Sequence, residues 1–219
     1  MYVKSAMRKD PVVISPEASF FEVRSIVHEK GVRHLPVVDK NNHLIGIITD
    51  RDIRKASPSD ATTLSIHELN YLLGKLKVSS FMTPRDKLVT VTPETILEKA
   101  AQLMHDYKIG CLPVLEKNEL VGIITKADIL EAFVDLMGLK EQGTRLTVAL
   151  EDEPGKLHDV LEVIKNHYVN IISVVATAYK VDKKRMCVIR MKTQEYEDIV
   201  KEIEKLGYQV LSVTKWPSL

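Results

Sequence analysis

The octet GIITDRDI occupies Gly46 to Ile53, and the octet GIITKADI occupies Gly122 to Ile129. The two octets differ at two positions, and their first residues are 76 positions apart. Near-identity at such a distance indicates an internal repeat, in which one structural unit is built twice.

The similarity extends in front of both octets. Residues 12–39 read VVISPEASFFEVRSIVHEKGVRHLPVVD, and residues 88–116 read LVTVTPETILEKAAQLMHDYKIGCLPVLE. Each copy predicts strand, helix, strand, turn, strand and helix, with apolar residues at helical spacing. Ser15 before Pro16, and Thr92 before Pro93, predict that the first helix of each copy starts there. A copy of about 50 residues is too small to bury its apolar faces well alone, so we expect the two copies to pack together.

A different pattern follows the second copy. Residues 66–76 predict a packed connecting helix between the copies, and residues 138–145, GLKEQGTR, read as a polar linker. Beyond this linker, the apolar periodicity predicts strand, helix, strand, a hairpin turn at residues 181–184, strand, helix and strand. The order βαββαβ is that of a ferredoxin-like sandwich.

Composition excludes several classes of protein. The 219 residues include 31 Lys and Arg against 30 Asp and Glu, a balance that argues against a nucleic-acid binder with a broad basic face. No run of 18 apolar residues predicts a membrane span, and residues 1–5 do not resemble a signal peptide. Cys111 and Cys187 belong to no Cys/His cluster, so we expect reduced thiols, no metal site and a cytoplasmic location.

The repeated Thr-x-x-Asp sequence has two interpretations. Thr49 with Asp52, and Thr125 with Asp128, each fit a helix capping box. The same atoms would suit a nucleotide, because a helix start attracts phosphate and a carboxylate accepts hydrogen bonds from ribose hydroxyls. The basic residues that such a ligand needs stand mainly in the first copy, and they are Arg33, His34 and Arg51; the second copy has Gly110, Cys111, Lys126 and Ala127 in the related positions.

The two copies resemble a pair of CBS domains, and residues 145–219 resemble an ACT domain through EDEPGKL at 151–157 and VNIISV at 169–174. The fold class implied is α/β (α+β), with two tandem CBS domains packed as a pseudo-two-fold pair and followed by a ferredoxin-like βαββαβ ACT domain. The expected boundaries are 1–60 for the first CBS domain, 61–78 for the connector helix, 79–138 for the second CBS domain, 139–144 for the linker and 145–219 for the ACT domain.

The resemblance implies an adenine nucleotide (AMP, ADP or ATP) in clefts shared by the CBS repeats, as an effector and with no obligatory cofactor. In such proteins the Asp of the repeated motif contacts ribose, the Thr and the basic residues contact phosphate, and apolar residues hold adenine. The residues that match these positions are Val12, Val13, Arg33, His34, Pro36, Thr49, Arg51, Asp52, Leu112, Pro113, Thr125 and Asp128. Because the clefts would be shared under the pseudo-two-fold symmetry, we expect Asp128 to act together with the basic residues of the first copy. For the ACT domain, the resemblance implies an amino acid near Gly155 and Asn170.

These features predict a regulatory sensor rather than an enzyme, since no nucleophile elbow, metal cluster or Walker loop is present in the sequence. The arrangement of two CBS domains and an ACT domain is similar to that of acetoin-utilisation proteins, which implies a role in acetoin utilisation or related carbon metabolism. The alternative is a structural dimerisation module without nucleotide. In both cases we expect a homodimer through the apolar helix of residues 127–138 and its counterpart near Ile53, and an unknown regulated protein remains a further partner.

Overall fold

The structure is a computed structural model that describes residues 1–58, 65–181 and 184–216. It divides into two compact units, Met1–Leu130 and Glu131–Leu219. Parts of the predicted connector and of the predicted hairpin turn at 181–184 lie outside the described residues.

The first unit contains both repeats. Its helices and strands are β1 (Arg8–Lys9), α1 (Phe20–Lys30), β2 (His34–Val38), β3 (Leu44–Thr49), α2 (Asp50–Ala56), α3 (Ile66–Lys75), α4 (Val78–Phe81), β4 (Thr83–Pro84), α5 (Leu97–Asp106), β5 (Cys111–Glu116), β6 (Glu119–Thr125) and the first residues of α6 (Lys126–Leu136). A helix is confirmed at the predicted place as α3, but it is not packed as predicted, because none of its residues is buried and Leu72 is 52% exposed.

The two repeats exchange a short strand. The hairpin of β2 and β3 is completed by β4, which precedes the second copy in the chain, and the hairpin of β5 and β6 is completed by β1, which precedes the first copy. Backbone hydrogen bonds therefore tie the leading segment of each copy to the sheet of the other copy. The exchange explains why the repeats form one compact unit.

The predicted starts of the first helices were wrong. Helix α1 begins at Phe20, where Ser19 accepts a hydrogen bond from the backbone N–H of Glu22 and the Glu22 carboxylate accepts one from the N–H of Ser19. This reciprocal box satisfies two unpaired N–H groups, whereas Ser15 lies in a turn closed by the N–H of Ala18. In the second copy the helix α5 begins at Leu97. The predicted end of α1 is confirmed, because Gly31 adopts the left-handed conformation at φ 63°.

The second unit has the predicted βαββαβ order. After the end of α6 its elements are β7 (Gly143–Leu150), α7 (Lys156–Asn166), β8 (Ile171–Val181), β9 (Lys184–Met191), α8 (Glu197–Lys205) and β10 (Gln209–Trp216). The antiparallel sheet has the strand order β10-β7-β9-β8, and one of its faces forms a core with both helices. The predicted linker is shorter than expected, because residues 143–145 already pair with β9 and β10.

In the described residues, no helix combines the length and the apolar character that a membrane span requires.

Candidate functional site

Two clefts of similar size lie between the repeats of the first unit. We name the first the Thr49 cleft; its volume is about 570 Å³. Its walls come from both copies, and its lining residues are Arg33, His34, Ile47, Thr49, Asp50, Arg51, Asp52, Lys55, Thr83, Lys87, Leu88, Val89, Tyr107, Lys108, Ile109, Gly110, Cys111 and Pro113.

The second cleft, the Thr125 cleft, has a volume of about 650 Å³. Its lining residues are Arg8, Lys9, Asp10, Pro11, Val12, Gly31, Val32, Arg33, His34, Gly110, Ile123, Thr125, Lys126 and Ala127. It is the counterpart of the Thr49 cleft under the pseudo-two-fold relation of the repeats, since Ile47 and Ile123 occupy the same place in their octets.

Each cleft joins the helix start of one copy to the leading segment of the other. Thr49 faces the segment around Val89, and Thr125 faces the segment around Val12. The strand exchange causes this arrangement, because it carries each leading segment across to the other sheet. The structure therefore places the predicted residue Val12 in the Thr125 cleft, and Val89, which stands 77 positions after Val12, takes the equivalent place beside Thr49.

In both octets, one carboxylate oxygen of the Asp accepts the same two hydrogen bonds from the Thr of the motif. The backbone N–H and the hydroxyl of Thr49 donate to Oδ2 of Asp52 at 2.8 and 2.6 Å, and Thr125 binds Oδ2 of Asp128 at the same distances. Both carboxylates are 9% exposed. The capping box is thus present in both copies, and it leaves Oδ1 of each carboxylate for other partners.

Those other partners differ between the clefts. Oδ1 of Asp52 accepts a hydrogen bond from the hydroxyl of Thr83 at 3.3 Å, whereas Oδ1 of Asp128 lies 3.0 Å from Nε of Arg8. The first contact is a long neutral hydrogen bond, and the second is an ion pair. Asp52 lines its cleft; Asp128 is not among the described residues that line the other.

Basic side chains surround both clefts. The Thr49 cleft is lined by five Lys and Arg side chains against two Asp, and the Thr125 cleft by four against one. Arg33 and His34 line both clefts, so the structure places them beside Thr125 as well as beside Thr49. Within the described part of the chain, Arg33 and Arg51 make no hydrogen bond or ion pair, and both are exposed. Their donors are available to an anion.

His34 is held at the boundary between the clefts. Burial lowers the pKa of its imidazole from the ordinary value of 6.5, the charge of Asp50 opposes this effect, and Arg33 adds to it. A Cβ atom at residue 110 would lie 2.9 Å from Nε2 of His34, so Gly110 provides the space for the ring. The neighbouring Cys111 is buried, and burial raises the pKa of its thiol to about 12, which makes it a weak nucleophile at neutral pH.

Four of the predicted binding residues, Val13, Pro36, Leu112 and Asp128, do not line either cleft. Leu112 is 0% exposed and belongs to the core, because alternate residues of β5 point to opposite faces and its neighbour Pro113 takes the cleft side. Pro36 is buried on β2, and Val13 is 38% exposed outside the clefts. The structure thus separates these residues from Thr49, Arg51 and Asp52, which it brings together.

Some residues of the two clefts were not predicted from the sequence. Lys55 lies one turn into α2 from Arg51, and the 3.6-residue period could have identified it. Leu88 and Val89 could have been found from their offset of 77 to Pro11 and Val12. The role of Arg8 had no signal in the sequence, because its approach to Asp128 depends on the strand exchange.

The second unit has a smaller depression of about 420 Å³, with lining residues Leu150, Glu151, Asp152, Glu153, Pro154, Leu157, Ala176, Arg185 and Cys187. Gly155 adopts φ 91° at the start of α7, and Asn170 follows the far end of that helix. Eleven helical residues span about 16 Å, so the structure does not bring Gly155 and Asn170 together within one chain. Neither residue lines the depression.

The comparisons with known proteins agree with this architecture. The CBS domain model matches residues 3–59 and 78–135, and the TTHA0829-like ACT domain model matches residues 142–214. A CBS domain-containing protein of Dictyostelium discoideum is 32% identical over 62% of this chain and 92% of its own length. Inosine-5'-monophosphate dehydrogenases match as well, but this chain spans 25% of the enzyme of Bifidobacterium longum.

Solved structures that resemble the chain include two with TM-scores of at least 0.50. A protein of Vibrio cholerae, provisionally named as the acetoin utilization protein AcuB, shares 29% identity at a TM-score of 0.53, over 64% of this chain and 94% of its own. The Arabidopsis thaliana protein CBSX2 in complex with AMP shares 29% identity at a TM-score of 0.50, over 61% of this chain and 96% of its own.

Proposed function

Because this chain belongs to the CBS-domain family and carries a TTHA0829-like ACT domain after its CBS pair, we propose that it is a non-catalytic regulatory sensor of an adenine nucleotide. The observation that carries the proposal is the Thr49 cleft, which combines a carboxylate, an apolar wall and unpaired arginines. The AMP complex of CBSX2 supports the choice of ligand class.

The apolar wall suits a purine base. Ile47, Leu88, Val89 and Pro113 line the cleft together, and their apolar surface would be removed from water by a flat ring. Leu88 and Val89 come from the leading segment of the second copy, so the base would contact both repeats. Ligand binding can then favour one arrangement of the repeats over another, which is what a sensor requires.

The carboxylate suits the ribose. Asp52 lines the cleft, and Oδ2 is fixed by Thr49 while Oδ1 is held by one long hydrogen bond from Thr83. A ribose hydroxyl can donate to Oδ1, and the Thr83 hydroxyl can rotate to accept a hydrogen bond from the sugar. Because the buried carboxylate is oriented before the ligand arrives, little side-chain entropy is lost on binding.

The arginines suit the phosphate. Helix α2 has seven residues, and its capping hydroxyl is bound to Asp52, so the helix start is a weaker source of attraction than the sequence suggested. Arg33, Arg51 and Lys55 line the cleft instead and supply the positive charge. Arg51 has no partner in the described residues, and a phosphate would give it one.

Isothermal titration of the full chain with AMP, ADP and ATP tests the proposal. We expect binding by at least one of them, and we expect Asp52→Asn and Arg51→Gln to weaken it by about 1.5–3 kcal/mol, or roughly 10- to 100-fold. Arg54→Gln is the matched control, because Arg54 is exposed on the same helix and is not among the described residues lining the Thr49 cleft. No binding of any of the three nucleotides by the folded protein would refute the proposal.

The ACT domain would bind a small ligand, such as an amino acid, when Gly155 of one copy and Asn170 of another lie at a shared interface. The role in acetoin utilisation or related carbon metabolism, acting on a regulated protein in the cytoplasm, is part of the same proposal and is supported by the similarity to AcuB. Equilibrium dialysis against a panel of amino acids tests the first part; no retained amino acid would contradict it.

The second candidate function is a structural dimerisation module. Helix α6 exposes three large apolar side chains, Leu130 at 66%, Phe133 at 37% and Leu136 at 45%. A second copy would cover them, and this is the homodimer that we propose in either case. Light scattering at micromolar concentration should give the mass of two chains, and Leu130→Asn should shift it toward one. Ile96→Asn, at the exposed apolar residue that caps the start of α5, should not shift the mass, and a monomeric wild type would contradict the homodimer.

A further inference from the structure

The strands β1 and β4 occupy equivalent places in the two halves of the first unit. Arg8 pairs with Ile123, and Thr83 pairs with Ile47. Each of these isoleucines is the second residue of its octet. Met7 and Met82, the residues before them, approach the octet glycines in the same manner. Arg8 is therefore the structural counterpart of Thr83, although the sequence offset of the repeats does not align them.

The difference between Thr83 and Arg8 determines whether Oδ1 of the neighbouring octet carboxylate is available to a ligand. The hydroxyl of Thr83 lies 3.3 Å from Oδ1 of Asp52, is neutral, and can rotate away or accept a hydrogen bond. The guanidinium of Arg8 lies 3.0 Å from Oδ1 of Asp128, is always charged, and can only donate. Arg8 lines the Thr125 cleft and Asp128 does not. In the Thr49 cleft, by contrast, the carboxylate residue Asp52 is itself part of the lining.

From this difference, and resting on the proposed function, we infer that the two clefts are unequal ribonucleotide sites and that Arg8 is the residue that makes them so. The Thr49 cleft offers its carboxylate to a ribose. In the Thr125 cleft the ion pair with Arg8 occupies the carboxylate, and a ribonucleotide binds with full affinity only when Arg8 leaves it.

The ion pair can open toward solvent on one side only. The Arg8 side chain is 63% exposed and Asp128 is 9% exposed, so the arginine can turn away, but leaving the buried carboxylate costs about one charge-assisted hydrogen bond. A ligand of higher negative charge could draw Arg8 toward its phosphates, since Lys9, Arg33 and Lys126 line the same cleft. The Thr125 cleft would therefore respond at higher nucleotide concentration than the Thr49 cleft, which gives the sensor two thresholds.

A reciprocal exchange of the two residues tests the inference. Titration of the wild-type chain with AMP should show one tighter site, which Asp52→Asn weakens roughly 10- to 100-fold, and a second site that is weaker by about tenfold or more, the value of one charge-assisted hydrogen bond. Arg8→Thr should tighten the weaker site by about tenfold, and Thr83→Arg should weaken the tighter site by a similar factor.

Lys9→Thr is the matched control. It removes one positive charge from the wall of the same cleft without freeing Asp128, so it should not tighten the weaker site. Two equal sites in the wild type, or an Arg8→Thr protein whose weaker site is unchanged or weaker still, would overturn the inference while leaving the proposed function intact. No binding of AMP, ADP or ATP at all would instead overturn the proposed function.

Discussion

A Cβ atom at residue 46 would stand 2.9 Å from the carbonyl oxygen of Thr83 and 2.5 Å from the sulfur of Met82. The first contact is with a backbone atom of β4, which pairs with β3, so the strand cannot withdraw without losing that pairing. Gly122 stands in the same relation to Arg8, with a distance of 2.9 Å from the built Cβ to its carbonyl oxygen. Both glycines therefore permit the exchanged strands to approach closely.

We predict that Gly46→Ala and Gly122→Ala each lower the free energy of unfolding by about 1–3 kcal/mol, as overpacked substitutions do. Gly74→Ala is the control, because Gly74 lies in α3 with Phe21 3.8 Å from a built Cβ, and Ala is the better helix former there. Urea unfolding followed by circular dichroism measures all three. Equal stabilities of Gly46→Ala and Gly74→Ala would contradict the steric argument.

The repeat allowed much of the fold to be predicted from the sequence. The spacing of the apolar residues and the duplicated octets predicted the helices and the hairpin of each copy, and the βαββαβ order of the second unit followed from the same periodicities. The first strand predicted in each copy was wrong, because Ile14 and Val91 form only isolated bridges, to Val37 and Val114. The starts of α1 and α5 were each predicted four residues too early, because a Ser-Pro or Thr-Pro pair indicates a turn as well as a helix start.

The candidate site was less predictable, because it depends on pairing between distant segments. Thr49 and Asp52 could be found as a local pattern, whereas the approach of Val89 to Thr49 and of Arg8 to Asp128 follows from the exchange of β1 and β4. Two strands of two residues each carry almost no sequence signal. The resemblance to known families supplied the ligand class, which neither composition nor spacing contains.

A second prediction separates the core from the site. Leu112 and its counterpart Leu35 are both 0% exposed, at equivalent positions of β5 and β2. Each substitution by Ala should lower the free energy of unfolding by about 2–5 kcal/mol, because it removes buried methyl groups and leaves a cavity. The affinity of the folded fraction for AMP should stay within about twofold of the wild type, since neither side chain lines a cleft.

Urea unfolding and AMP titration of the same preparations test this prediction. Pro113→Ala is the comparison, because Pro113 is adjacent to Leu112 and lines the Thr49 cleft. A Leu112→Ala protein with wild-type stability and lost AMP affinity would show that the leucine contacts the ligand, as the family resemblance had implied.

The third prediction concerns the effect of pH on His34. Burial lowers the pKa of this imidazole below 6.5. His34 is therefore protonated less readily in the folded protein than in the unfolded chain. The unfolded state then binds more protons as the pH falls through about 6.5, and stability decreases with falling pH in that window. Above the unfolded pKa both states are neutral at this residue, and His34 adds no pH dependence there.

We therefore expect the free energy of unfolding to fall between pH 7.5 and pH 5.5, and we expect His34→Gln to reduce that fall. Urea unfolding at several pH values measures both proteins. The carboxylates whose pKa values are lowered, such as Asp39 and Glu22, titrate below this window, so they lower the stability of both proteins only at more acidic pH. His28→Gln is the control, because His28 is exposed on α1. An identical pH dependence in the wild type and in His34→Gln would show that the His34 imidazole is protonated in the folded protein as readily as in the unfolded chain.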